Sequence, residues 1–567
     1  MHQLFKNQKA KKSDMNKQRT VADSGMVASA VDEATQAGAK VLEEGGNAMD
    51  ALVAVQFALS VVELFNTGIG ASGYILYYDN NKKETKVING HSQAPKGIKR
   101  DMFLDKEGNI LEHFQRSTHA SAVAIPGIMK AMDLALREFG TMPLDKLIEP
   151  AARLAENGFR VNSQWDDAIQ TLTLRMGDEA KAFFVPEGIP RVEGEWVKNP
   201  NLAKTLRILQ RKGVDALYQG EIGEAIVDTL EKKGGMMTKE DLYEYRAKIE
   251  EPITGRYKEY ELAVPAPPNG GGLSLIQLLK ILEGFRLEQY KVSSWEKYYL
   301  LAEAMRLTFS DKLAYMTDPE FGDIPIEGLL HPEYIKERQK MINWKSRNPE
   351  IDSGNPWVYQ DSSNKKGEVK NFKTGGETTH FIAVDRWGNI AACTSSIEHV
   401  MGSGIMVPGY GFLLNNDLTD FYPEPGHINS IEPKKYPVSA KTPTIVLKDG
   451  NPVLTLGSPG GPTIVASVSQ VLINIFDYQM DIKDAIEEPR IYNSTTPLIW
   501  WEEGIPQKAR NKLTQMGFEF PELAKSIGNV QAILIDQENG DIYGAADSSR
   551  PGSAIGINKD NQSIHDD

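Results

Sequence analysis

The chain changes texture once, and that change limits what it can become. Up to about residue 345 helical spacing dominates. Beyond 377 short apolar runs pair across tight polar turns. Residues 380–384 and 390–394 flank Asp385-Arg-Trp-Gly-Asn389, residues 444–456 turn at Asp449-Gly450-Asn451, and residues 530–545 turn around Glu538-Asn-Gly540. Asp-Gly and Asn-Gly dipeptides between such runs are hairpin signals, because these residues accept the positive φ of tight turns. An apolar helix over about 463–477 separates the last two hairpins, entered from Ser458-Pro-Gly-Gly461. Hairpins alternating with helices require a mixed α/β body in which sheets and helices cover one another's apolar faces.

Upstream, residues 31–44 carry apolar positions at helical spacing and stop at Gly45-Gly46, a helix C-cap. Residues 48–63 continue as a mostly apolar helix, and residues 127–158 are helical with a break at Gly140-Thr-Met-Pro143. Between them, Tyr74–Tyr78 reads as a strand. Residues 160–345 read as mainly helical, interrupted by a loop over 263–272. Residues 345–377 are polar and rich in Gly, Ser, Asn and Lys, the pattern of an accessible, flexible linker. The expected organisation is a disordered arm over 1–22, a helix-rich part over 23–377 ending in that linker, and a second part over 378–567.

Charge and composition remove several classes of function. With 63 basic and 77 acidic side chains the net charge is −14, which disfavours nonspecific binding to nucleic acid or anionic lipid. The single cysteine, Cys393, excludes an internal disulfide framework without deciding the compartment. Residues 1–20 are basic and lack the apolar core of a signal peptide, so the chain as written is expected to be cytoplasmic, and extracellular if its N-terminus is trimmed or replaced. The apolar run Ala51–Val62 is too short to span a bilayer. Gly68-Ile-Gly70-Ala-Ser-Gly73 matches a dinucleotide fingerprint only on paper, because it follows a helix and precedes a strand. Without an HExxH pattern or Cys/His cluster no metal is expected, and no cofactor either.

The stretch that carries chemistry is Gly375-Gly376-Glu377-Thr378-Thr379-His380, where the polar linker meets the first hairpin. Thr-Thr-His before a strand is ordinary strand composition when read alone. Its setting is not ordinary: a threonine starts a strand at the end of an exposed linker, and a glycine pair stands at a helix entrance downstream. Together with Gly45-Gly-Asn-Ala-Met-Asp50, Gly140-Thr-Met-Pro-Leu144, Asn415-Asn416, Asp420-Phe421, Gly457-Ser-Pro-Gly-Gly461 and Asp547-Ser-Ser-Arg550, this order resembles the γ-glutamyltransferase family of self-cleaving N-terminal-nucleophile hydrolases. The likeness runs from about 25 to 560. Gly404-Ile-Met-Val-Pro408 and Ser526-Ile-Gly-Asn-Val530 look most like its capsule poly-γ-glutamate depolymerase branch.

That resemblance implies a four-layer αββα sandwich and autocatalytic cleavage between Glu377 and Thr378, leaving two subunits from one precursor. The chemistry is coherent. The Thr378 hydroxyl attacks the preceding carbonyl, and water releases the resulting ester. The freed α-amine, with a reference pKa of about 7.7–8.0, then serves as base for its own hydroxyl. Gly460 and Gly461 resemble the family's oxyanion hole, Ser396 the hydroxyl that hydrogen-bonds the nucleophile, and Asp420 the acid that holds a substrate α-amino group. His380 is expected to be a packed residue rather than a base.

Three positions depart from the family pattern, and all bear on substrate recognition. His91, in Gly90-His91-Ser-Gln-Ala-Pro95, stands where the family has an arginine for the glutamyl α-carboxylate. Glu398 stands where many members carry Asn, and Ser439 is followed by Ala440 where the family has paired serines. The implied substrates are γ-glutamyl amides: glutathione-like compounds, γ-glutamyl peptides or poly-γ-glutamate. Two alternatives stay open: an amidase of the cephalosporin- or glutaryl-acylase kind, and a homologue that binds without processing itself.

Overall fold

The computed structural model of the protein describes residues 19–360, 369 and 376–559. Two seven-stranded sheets, paired antiparallel throughout, form its centre. The first runs Ser553–Ile557, Gly25–Ser29, Thr379–Val384, Ile390–Ser396, Ser72–Asp79, Glu84–Gly90 and Lys248–Glu250 in spatial order. The second runs Thr20–Ala22, Ile542–Ala546, Gln531–Ile535, Asn451–Gly457, Thr444–Lys448, Tyr260–Val264 and Ile253–Tyr257. The hairpins expected beyond 377 are all present, divided between the two sheets.

Strand alternation then builds the layers, since successive side chains leave opposite faces of a strand. On the first sheet Met26, Ala28, Tyr74, Leu76, Ile382 and Val384 point inward, where they meet Ile445, Leu447, Ile533 and Ile542 of the second. The intervening Val27, Ile75, Phe381 and Ala383 face outward onto the helices Asp32–Glu43 and Ala48–Val62. Across the molecule Val446, Leu454, Leu456 and Ala532 cover the helices Gly270–Glu283, Trp295–Tyr315 and Ile464–Phe476. The order is helix, sheet, sheet, helix: the four-layer αββα sandwich.

Helix Ala48–Val62 is buried along its whole length, which accounts for its nearly uninterrupted apolar sequence. Asn47 and Asp50 close a capping box at its start. The Asp50 carboxylate also accepts from the backbone N–H of Thr141 and Met142, at 2.8 and 3.0 Å. Two of the sequence motifs, Gly45–Asp50 and Gly140–Leu144, are therefore one structural joint.

Three expectations need correction or limits. The arm does not extend to residue 22, because Thr20–Ala22 pairs with Ile542–Ala546 at a sheet edge; its remainder over 1–18 lies outside the described residues. Residues 248–264, read as part of a helical stretch, form three strands, and helix Gly270–Glu283 begins inside the expected loop. The linker is described only in part, with 361–368 and 370–375 outside the described residues. Among the described residues no helix is long and apolar enough to cross a membrane.

Candidate active site

Thr378 is 2% exposed and immediately precedes the strand Thr379–Val384, third of seven in its sheet. The chain is continuous from Glu377 into Thr378. The register Thr379↔Ser395 brings the end of the neighbouring strand alongside, so Ser396 lies next to this peptide. The Ser396 hydroxyl donates to the Glu377 carbonyl oxygen at 2.6 Å and accepts from the Glu398 N–H at 2.7 Å. The Glu377 N–H in turn donates to the Glu398 carbonyl at 2.5 Å. Residue 377 is thus clamped at both its N–H and its C=O. Glu398 holds φ at +75°, a sparsely populated conformation for a non-glycine residue.

Gly460 and Gly461 arrive from the other sheet, just after the strand Asn451–Gly457. They adopt φ of 122° and 53° and open a turn that leads into helix Ile464–Phe476. A Cβ placed on Gly376 would stand 2.8 Å from the Gly461 Cα, so the segment before Thr378 runs directly over the glycine pair. Free N–H groups at a helix entrance face developing negative charge favourably.

The same topology delivers Arg550. Strand Ser553–Ile557 pairs with Gly25–Ser29, which pairs with Thr379–Val384, so residues 172 apart in sequence converge. The Arg550 guanidinium donates to the Thr378 carbonyl at 2.8 Å, to Glu63 at 3.1 Å, and to the Glu377 carboxylate. Glu63 is fully buried, and that burial raises its pKa while Arg550 opposes the shift. An isolated buried charge is costly, so this ion pair is integral to the site.

Beside this peptide opens a cavity of about 1290 Å³, lined by Gly376, Glu377, Gly460, Asp420, Lys312 and Arg550 among others. Asp420 meets the side chain of Glu398, and Asp417 lies close to both. Burial first, then mutual repulsion, raises the Glu398 carboxyl well above its ordinary value. Asp420 is pushed up to about 7, chiefly by burial, with Lys441 opposing. Asp417 accepts from the hydroxyls of Ser72 and Ser92.

Six candidate site residues singled out from the sequence are not themselves part of the cavity wall: Thr378, Ser396 and Glu398, which adjoin or bond the lining residue Glu377, Gly461, which follows the lining residue Gly460, and His91 and Ser439. His91 is fully buried, its Nε2 is 2.9 Å from the Pro437 carbonyl, and burial lowers its pKa well below the usual histidine range. Its ring is neutral. Ser439 is also fully buried, and its Oγ accepts from the Lys441 N–H at 3.1 Å. Its carbonyl accepts from the N–H groups of Gly270 and Gly271, which ties two loops together. His380 is buried against Gly457 and bonded to Thr394, with its pKa lowered to about 3 by burial; it is a packed residue.

Residues the sequence reading did not single out include Glu63, Lys312, Lys441 and the site contact of Arg550. Only Arg550 had a visible signal, its place in Asp547-Ser-Ser-Arg550.

The chain is similar to known proteins along most of its length. A family model described as Gamma-glutamyltranspeptidase matches residues 34–557. The "Glutathione hydrolase proenzyme" of Bacillus subtilis strain 168 is 46% identical over 551 residues, covering 97% of this chain and 94% of that protein. The "Acylase ACY 1 proenzyme" of Pseudomonas sp. strain SE83 is 32% identical over 94% of this chain and 93% of its own. The crystal structure of a cephalosporin acylase from Bacillus halodurans superposes with a TM-score of 0.85 at 27% identity, covering 95% of this chain and 97% of that one.

Proposed function

The chain belongs to the gamma-glutamyltranspeptidase family, and on that premise we propose that it is a precursor that cuts its own Glu377–Thr378 bond and then hydrolyses or transfers γ-glutamyl groups. The observation that carries this reading is the 2.6 Å hydrogen bond from Ser396 to the Glu377 carbonyl, beside the Gly460–Gly461 turn. A carbonyl with a donor already on its oxygen is polarised for attack by the adjacent threonine hydroxyl.

In the first step the Thr378 Oγ adds to the Glu377 carbonyl carbon, its proton passes to the peptide nitrogen, and that nitrogen leaves as the new α-amine of Thr378. Water then cleaves the Glu377–Thr378 ester, and residues up to 377 and from 378 form two subunits. In turnover the α-amine takes the proton from Oγ, Oγ attacks the γ-amide carbonyl, and the N–H groups of the glycine turn receive the oxyanion. The leaving amine departs with that proton. Water or an acceptor amine completes the cycle. Asp420, at the cavity wall, takes the substrate ammonium.

Intact-mass analysis under denaturing conditions tests the first step. Wild type is expected as fragments 1–377 and 378–567, and Thr378→Ala as one whole chain. A wild-type chain that stays whole after long incubation defeats the proposal. A second reading, an amidase that takes acyl groups other than γ-glutamyl, draws support from the neutral His91 in place of an arginine. Comparing γ-glutamyl and glutaryl p-nitroanilides as donors separates the two.

A further inference from the structure

With His91 buried and neutral, an acyl group carrying a carboxylate needs another cation in this cavity. Three basic side chains line it: Lys312, Lys525 and Arg550. Arg550 is committed to Glu63, Glu377 and the Thr378 carbonyl. Lys525 lies 3.5 Å from the ring centre of Trp500. Lys441 is buried and already engaged by the acid pair, as the leading cation facing both Glu398 and Asp420. Lys312 remains. Its ammonium makes no hydrogen bond or ion pair with the described residues, yet feels the field of Asp420 and Glu398.

The surroundings of Lys312 fit a binding role. Helix Trp295–Tyr315 presents Phe309, Lys312 and Leu313 to the cavity, followed by Met316 just beyond its end. That wall is apolar except for one ammonium. The stem is seated by Gly270, where a Cβ would come within 3.0 Å of the Lys312 Cε. Opposite charges on Lys312 and Asp420 in one cavity match the distal end of a γ-glutamyl group, which carries a carboxylate and an ammonium on the same carbon.

We infer that Lys312 is a specificity-determining residue that receives the α-carboxylate of the acyl group while Asp420 receives its α-amine. The inference rests on the γ-glutamyl reading proposed above. It assigns to a helix lysine a task for which the sequence offers no arginine at residue 91. Burial lowers the lysine pKa, and Asp420 and Glu398 oppose that shift.

The test compares three p-nitroanilides on processed enzyme: γ-glutamyl, 4-aminobutyryl (no α-carboxylate) and glutaryl (no α-amine). Wild type should prefer γ-glutamyl over both. Lys312→Met and Lys312→Gln should each lower kcat/KM for γ-glutamyl roughly 10- to 100-fold, mainly through KM, as expected for losing a charged hydrogen bond. The 4-aminobutyryl donor should hardly notice, so the ratio of these two donors collapses within a single variant, whatever its active fraction. Lys312→Arg should restore part of the preference. An unchanged ratio overturns the inference, and so does failure of both neutral variants to process, which would make Lys312 a residue of the fold. If wild type itself neither splits nor turns over the γ-glutamyl donor, it is the parent reading that fails.

Discussion

The hydroxyl of Ser396 donates to the carbonyl oxygen of Glu377 at 2.6 Å while its own oxygen accepts from the Glu398 N–H at 2.7 Å. The second bond fixes the direction of the first. Removing the hydroxyl should therefore remove a preset polarising donor. Ser396→Ala is expected to slow self-cleavage by about 100-fold, in the range for a lost oxyanion donor, and Ser396→Thr to keep it. A time course of the fragment masses checks both; equal rates in Ala and wild type would show that the bond does not assist.

Arg550 joins Glu63, Glu377 and Thr378, so its loss has two separable effects. Arg550→Ala leaves Glu63 buried without its cation and should cost about 3–5 kcal/mol. Adding Glu63→Gln removes the stranded charge and should recover much of that stability. Processing should stay slow in the double variant, because the bond to the Thr378 carbonyl is still gone. Urea unfolding and intact mass read the two effects independently, and a double variant that processes normally would restrict Arg550 to a stabilising role.

Asp420 gives a pH signature. Its carboxyl is raised from 3.8 to about 7 by burial, with Asp417 adding repulsion, Glu398 hydrogen-bonded to it, and Lys441 and Lys312 opposing. Between those values the folded chain binds more protons than the unfolded one, so this group's contribution to stability falls as pH rises from about 4 to about 7. Asp420→Asn should thus melt higher than wild type above pH 7, by roughly 2 °C, and show no gain near pH 4. Substrate binding should run the other way. The wild-type KM for a γ-glutamyl donor should fall as pH rises through about 7, since only the carboxylate attracts an ammonium. A flat KM across that range would remove Asp420 from amine binding.

Much of this was legible because local chemistry matches global structure. Asp449-Gly450 and Asn539-Gly540 make the hairpins they suggest, and the apolar run from Ala51 does make a fully buried helix. Ile253–Tyr257 and Tyr260–Val264 escaped because each is only five residues long and mixes charged with apolar positions. Such an edge hairpin has too weak a period to stand out among helices. Arg550 and Lys312 escaped for another reason. Arg550 stands in a visible motif, but its contact with Thr378 arises through strand pairing; Lys312 has no local pattern and shares with Asp420 only the cavity that both line. His91 shows the converse: its position in the chain marked it as a departure at a substrate-recognition position, but only the fold shows that its ring is fully buried against the Pro437 carbonyl.

The glycine turn supplies the last prediction. Gly460 holds φ at 122°, a region that L side chains rarely adopt, and an added Cβ would come 2.3 Å from the Thr463 Oγ. Gly460→Ala must therefore shift the turn that meets the segment before Thr378, and processing should drop by about 100-fold or more. Strain alone could be blamed for such a loss, so a matched control is needed. Gly450 also has positive φ, at 77°, but sits in a hairpin turn with open space around its Cβ position. Gly450→Ala should cost on the order of 1 kcal/mol in stability and process like wild type. If both variants process alike, the loss follows from strain and not from the glycine turn at the site.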